Sequence, residues 1–102
     1  MNNVFGTVEK GIIREEILST CSMAGQGGAD TKVIRAMIKK LGYDISEEEV
    51  ERQAGYLEQK GLVSVRDIGN ERLGIKRMVV GITAAGTDYL EGNAPDIPGI
   101  GG

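Results

Sequence analysis

Arg52, Tyr56 and Gln59 stand at i, i+4 and i+7 of one helical stretch. Side chains at that spacing line up along one face. Their types suit the edges of base pairs, since arginine can donate two hydrogen bonds to guanine and glutamine can pair with adenine. Gly55 in the same row would let another backbone come close. Four further cations, Arg66, Arg72, Lys76 and Arg77, fall in a stretch that reads as a hairpin. Cations so placed can rest on phosphates or enter a minor groove. Lys32 and Arg35, with Lys39, line the polar side of a second helical stretch and could clamp phosphates. Together these groups suggest contact with double-stranded DNA. The plainer alternative is wet surface: a solvated helix face, a hairpin edge kept unpaired by charge, and the polar side of an amphipathic helix.

No comparable set points to catalysis. The chain contains no histidine and one cysteine. The commonest general base and the commonest zinc ligands are therefore missing, and so are the histidine-activated serine and cysteine nucleophiles. Acidic residues are scattered, with no spacing that singles out an acid–base pair or a magnesium site. Cys21 falls on an apolar stripe, where it reads as a small core residue. The stretch Gly69 to Gly74 lacks the lysine and hydroxyl of a phosphate loop. No enzyme, cofactor or metal site is expected.

The elements that must carry the candidate residues follow from period and caps. Met1 to Val8 is a polar lead, expected to fray. Glu9 to Ala24 reads as a first helix, with Ile13, Ile17, Cys21 and Ala24 along one face. Gly25-Gln26-Gly27-Gly28 breaks it. Asp30 can cap a second helix, Thr31 to Leu41, whose expected apolar face is Val33, Ile34, Met37, Ile38 and Leu41. Tyr43-Asp44-Ile45 is a connection with room for a brief strand. Ser46 and Glu49 have capping-box spacing and open a third helix, with Val50, Ala54 and Leu57 as its narrow core face. Gly61 suits the left-handed residue after that helix. Leu62 to Asp67 and Ile75 to Ile82 read as paired strands around the turn Gly69 to Gly74, with Met78, Val79, Val80 and Ile82 mostly buried. Met23, Met37 and Met78 read as core fillers. Thr83 can cap a last short helix, Ala84 to Leu90, ended by Gly92. Residues 1–92 thus form one domain, and 93–102 an extended or mobile Pro/Gly tail.

At 102 residues, with 40% hydrophobic and 26% charged side chains, the composition is that of one ordinary globular domain. No apolar run is long enough for a membrane span, and no secretory leader is expected. A cytoplasmic setting is the default for so few cysteines. The net charge of −3 is unevenly spread. The second helix and the hairpin each hold four basic and two acidic residues, counting residues 30–45 and 61–82. The third-helix stretch, residues 46–60, holds two basic and five acidic ones. On a helical wheel Glu47, Glu51 and Glu58 gather on a flank of the face that carries Arg52, Tyr56 and Gln59.

The junction Leu57-Glu58-Gln59-Lys60-Gly61-Leu62-Val63 and the later Ile82-Thr83-Ala84-Ala85-Gly86-Thr87-Asp88-Tyr89-Leu90 resemble the winged-helix superfamily. The second segment is similar to the Leu-Thr-x-x-Gly-x-x-x-Leu ending that follows a wing strand in bacterial regulators. More narrowly, the chain resembles small ArsR-like winged-helix proteins of Mu-like prophages, which share the helix–glycine–strand junction. They also share a tail of the type Ala94-Pro95-Asp96-Ile97-Pro98-Gly99-Ile100. The resemblance covers the chain from about Ile12 onward. It implies an α+β winged helix-turn-helix, with three helices, a two- or three-stranded wing and a short C-terminal helix. It also implies DNA binding and regulation of phage genes. Metal-sensing relatives use cysteine or histidine clusters, and this chain has neither.

Two functions follow from the sequence. The first is a DNA-binding regulator, with Arg52, Tyr56 and Gln59 in the major groove and the hairpin cations on the backbone. Such a small module would gain affinity as a homodimer through its first or last helix. The second is a non-enzymatic protein-interaction module, a phage assembly or accessory factor that uses the acidic third helix and the tail.

Overall fold

The structure, a computed structural model, describes residues 3–101, with side chains from residue 9 onward. Helix α1 spans Asn3–Ala24 and ends in a 3-10 turn, Gly25–Gly27. A two-residue strand β1, Ala29–Asp30, leads into α2, Thr31–Lys40. Helix α3 covers Glu47–Gln59, and β2 covers Val63–Asp67. A 3-10 turn at Glu71–Leu73 crosses to β3, Met78–Ile82, and α4 spans Ala84–Leu90. The fold is α+β, with four helices and a three-stranded antiparallel sheet in the order β1-β3-β2. None of these helices is long and apolar enough to cross a membrane.

Each cap works as its residue type suggests. The Asp30 side chain accepts from the Lys32 amide, Ser46 from Glu49 and Thr83 from Gly86. Only half of the capping box forms at Ser46. The Glu49 carboxylate turns away from the Ser46 amide and binds Arg52 and Gln53 instead. Beyond α3, Gly61 has φ +77°, its amide bonds to the Glu58 carbonyl, and the Leu62 amide bonds to Leu57. That is a Schellman ending, which turns the chain straight into β2.

The core lies between the helices and the inner face of the sheet. Ile17, Leu18, Ile34, Ile38, Val50, Leu57 and Val80 are its large, fully enclosed members. Cys21 is buried beside them, and burial pushes its thiol up to about 12, which leaves it a neutral packing group.

Several expectations need correction. Helix α1 starts at Asn3, inside the stretch expected to fray, because nothing between Asn3 and Glu9 stops a helix nucleated by packed turns further on. Met1 and Asn2 lie outside the described residues. Ala24 is exposed at the end of α1. No strand forms at Tyr43–Ile45. The third strand is Ala29–Asp30, where the chain leaves Gly28 at φ +75° and runs tightly along β3. Of the expected apolar face of α2, only Ile34 and Ile38 are buried. Val33 is 53% exposed, Met37 37% and Leu41 53%, because α1 and the sheet cover only part of that face. Met23 is exposed and Met78 half-buried, so neither fills the core. Of the residues expected to be buried in the return strand, Ile82 is also only half-buried. The regular pairing of the hairpin is shorter than expected, since β3 begins at Met78 and only a single bridge, Asn70 to Ile75, continues toward the tip.

Residues 93–101 form neither helix nor strand. They run back over α1 and α3, where Ile97 and Ile100 pack against the core and the Gly101 amide bonds to the Gly11 carbonyl at 2.8 Å.

Two helical glycines should respond oppositely to alanine. A Cβ at Gly86 would lie 2.2 Å from the Leu62 carbonyl oxygen, whereas one at Gly55 would meet nothing within 4 Å. In urea unfolding, Gly55→Ala should stabilise the chain by about 0.5–1 kcal/mol through helix propensity. Gly86→Ala should destabilise it by about 1–3 kcal/mol despite the same propensity gain. Equal shifts would mean that α4 does not sit against the Leu62 carbonyl.

Candidate functional site

Helix α3 carries three of the candidate residues, and its neighbours decide what those residues can reach. Arg52 is exposed, with its guanidinium on the Glu49 carboxylate of the preceding turn. Gln59 is exposed. Tyr56 does not share their outlook. It is half-buried, the Arg14 guanidinium lies 3.6 Å from its ring centroid, and its hydroxyl donates to the Pro98 carbonyl at 3.2 Å. Tyr56 therefore faces α1 and the tail.

Two residues with no assigned role hold this joint together. Arg14 Nε donates to Gln53 Oε1 at 2.7 Å, and Arg14 Nη1 donates to the Gly99 carbonyl at 2.8 Å. Gln53, 3% exposed, in turn donates to Glu49. A continuous polar chain thus runs from Arg52 through Glu49, Gln53 and Arg14 to the tail backbone. The sequence held a signal for it. Arg14 shares a helical face with the buried Leu18 and Cys21, and Gln53 sits on the Val50–Leu57 side of α3. Polar groups inside an apolar stripe are almost always partnered.

The acidic flank of α3 turns the other way, toward α2 and the hairpin. Lys76 Nζ reaches Glu51 Oε1 at 3.0 Å, and Lys32 Nζ lies 3.8 Å from Glu47 Oε2. Lys32 also donates to the Lys76 carbonyl at 3.2 Å, and Thr31 donates its hydroxyl to Glu47 at 3.3 Å. The hydrogen bond and charge of Glu51 push the Lys76 ammonium above its ordinary range. Arg77 Nε donates to Asp30 Oδ2 at 2.9 Å, which ties the hairpin to the start of α2. In these links the carboxylates are the sheltered partners: Glu51 keeps 18% of its side-chain exposure and Lys76 63%. Arg35, half-buried, donates to the Ile45 carbonyl at 2.7 Å and braces the α2–α3 connection.

Thus Lys32, Lys76 and Arg77 are brought together with anions, and Arg35 with a carbonyl. Arg66 on β2 and Arg72 at the hairpin tip stay exposed, without an ion-pair partner among the described residues. The tip also exposes Ile68, Leu73 and Ile75. Among the described residues, no group of three histidine, cysteine or acidic side chains has the arrangement to hold a metal ion. The chain matches no protein-family model, and no curated protein matches it.

The tail seat depends on a missing side chain. A Cβ on Gly11 would come 2.1 Å from the Gly101 carbonyl oxygen. Gly11→Ala should raise the helix propensity of α1 yet release the tail. Hydrogen-exchange mass spectrometry should then show residues 97–101 exchanging faster, with the Tyr56 turn of α3 following. Unchanged exchange in both would contradict the seat.

Proposed function

We propose that this chain is a small, non-enzymatic winged-helix protein whose work is to bind a partner protein. The order helix, strand, two helices, hairpin and helix supports this reading, in which α3 would be the recognition helix. In the usual docking of such a fold, that helix enters the major groove of DNA. Here its first turns carry Glu47, Glu48, Glu49 and Glu51. Glu47, Glu51 and Glu49 hold Lys32, Lys76 and Arg52, so these cations are not free for phosphates, while the exposed Glu48 opposes a polyanion.

The observation that carries the reading is the row Val33, Met37 and Leu41. These residues stand at i, i+4 and i+8 along α2 and its C-cap and stay exposed, with Met23 of α1 beside Val33 and Met37. Single exposed apolar side chains are ordinary, but a contiguous row is the usual mark of a contact surface. The acidic helix and the tail, the surfaces first expected to meet a partner, are largely used inside the chain. The contact therefore moves to α2.

Duplex DNA is the second reading, favoured by the unpaired Arg66 and Arg72 and by the outward Arg52 and Gln59. A labelled random duplex, followed by anisotropy, separates the two. The protein-contact reading predicts no saturable binding at about 50 mM salt. Saturable binding that collapses by about 200 mM salt would favour DNA instead.

A further inference from the structure

We infer that the exposed side of α2 is the docking site for an acidic amphipathic helix of another protein. This inference rests on the protein-contact reading and names the partner's chemistry. Val33, Met37 and the C-cap Leu41 form a ridge along one helical row, and Val33 and Met37 share a groove with Met23 of α1. Such a ridge packs against a second helix, whose side chains drop into the spaces along it. The two methionines, long and unbranched, can adjust to the shapes that enter.

The charge around the ridge selects the occupant. Helix α2 contains Lys32, Arg35, Lys39 and Lys40 and no acidic residue. At about 100° per residue, Lys40 falls beside Val33 and Met37, with Lys32 and Lys39 beyond Ala36. Lys39 and Lys40 are exposed and have no ion-pair partner among the described residues. Asp30, the N-cap of the helix, is already bonded to Arg77, and Glu47, beside Lys39, is paired with Lys32. A second copy docked through the same face would set Lys39 and Lys40 against their own counterparts, while the anions at its margins, Asp30 and Glu47, are already held by Arg77 and Lys32. A phosphate backbone would satisfy the lysines and leave the apolar ridge in water. A helix with leucines on one side and glutamates at its margins satisfies both.

Two synthetic helical peptides test this by calorimetry against the full chain. One carries a leucine row flanked by glutamates, and the other carries the same row flanked by lysines. The glutamate peptide should bind saturably, at least about tenfold more tightly than the lysine peptide. Val33→Asp should weaken it at least about tenfold, and so should the paired surface change Lys39→Glu with Lys40→Glu, which leaves the packing of the core untouched. Thermal melts of each variant identify any that unfold. Equal binding of both peptides would overturn the acidic assignment. Binding indifferent to both variants would overturn the site. A concentration-dependent dimer in sedimentation that Val33→Asp dissolves would make a second copy the occupant. Failure of the whole protein-contact reading would look different: saturable duplex binding by the unaltered chain, with neither peptide bound.

Discussion

Helix α3 is held on three sides, and the rest of the structure is arranged by that fact. Val50, Ala54 and Leu57 fix it to the core. Gln53 and Tyr56 join it to α1 and the tail through Arg14. Glu47 and Glu51 join it to α2 and the hairpin through Lys32 and Lys76. Glu58, on that same flank, accepts from the Val65 amide at 2.9 Å. A carboxylate at that amide closes part of the open edge of β2, where another chain could otherwise pair. Among the described residues, the outer strip of Glu48, Arg52, Gly55 and Gln59 is left without a neighbouring element.

The ionic links add little to stability, because exposed pairs are screened and cost side-chain freedom. Their effect lies in position and field. Sheltered carboxylates hold exposed cations in place, so the basic hairpin and the acidic helix, conspicuous as separate blocks in the sequence, cancel where they meet. A basic surface that could concentrate a polyanion needs unpaired cations in one track. Lys32, Lys76 and Arg77 spend their charge inside the molecule. Arg66 and Arg72 remain exposed on the hairpin.

Much of this was legible from local chemistry. Asp30, Ser46, Thr83 and Gly61 each mark a boundary that the backbone observes, since caps act within a turn and need no distant partner. The core side of α3 followed from its period. Partners from elsewhere in the chain were not legible. Tyr56 lies on the outer half of the wheel, yet Arg14 and Pro98 cover it, and both contacts span long stretches of sequence. Periodicity assigned Val33, Met37 and Leu41 to the core, but it reports the direction of a face and not how much of that face meets a neighbour. The sequence leaves room for a brief strand after α2, whereas the strand lies before it, because two residues carry almost no pattern of their own. Ile97 and Ile100 fell in a tail judged by its prolines and glycines, and their packing depends on the notch at Gly11.

The central claim is that the acidic flank of α3 faces the cations of α2 and the hairpin. Carbodiimide coupling measures it most directly, since the reagent joins an amine to a carboxylate only where the two touch. Peptide mapping of the monomer after brief treatment should yield Lys76 joined to Glu51, and Lys32 joined to Glu47 in smaller amount. Recovery of Lys76 and Lys32 uncoupled, or joined to carboxylates outside α3, would contradict the account.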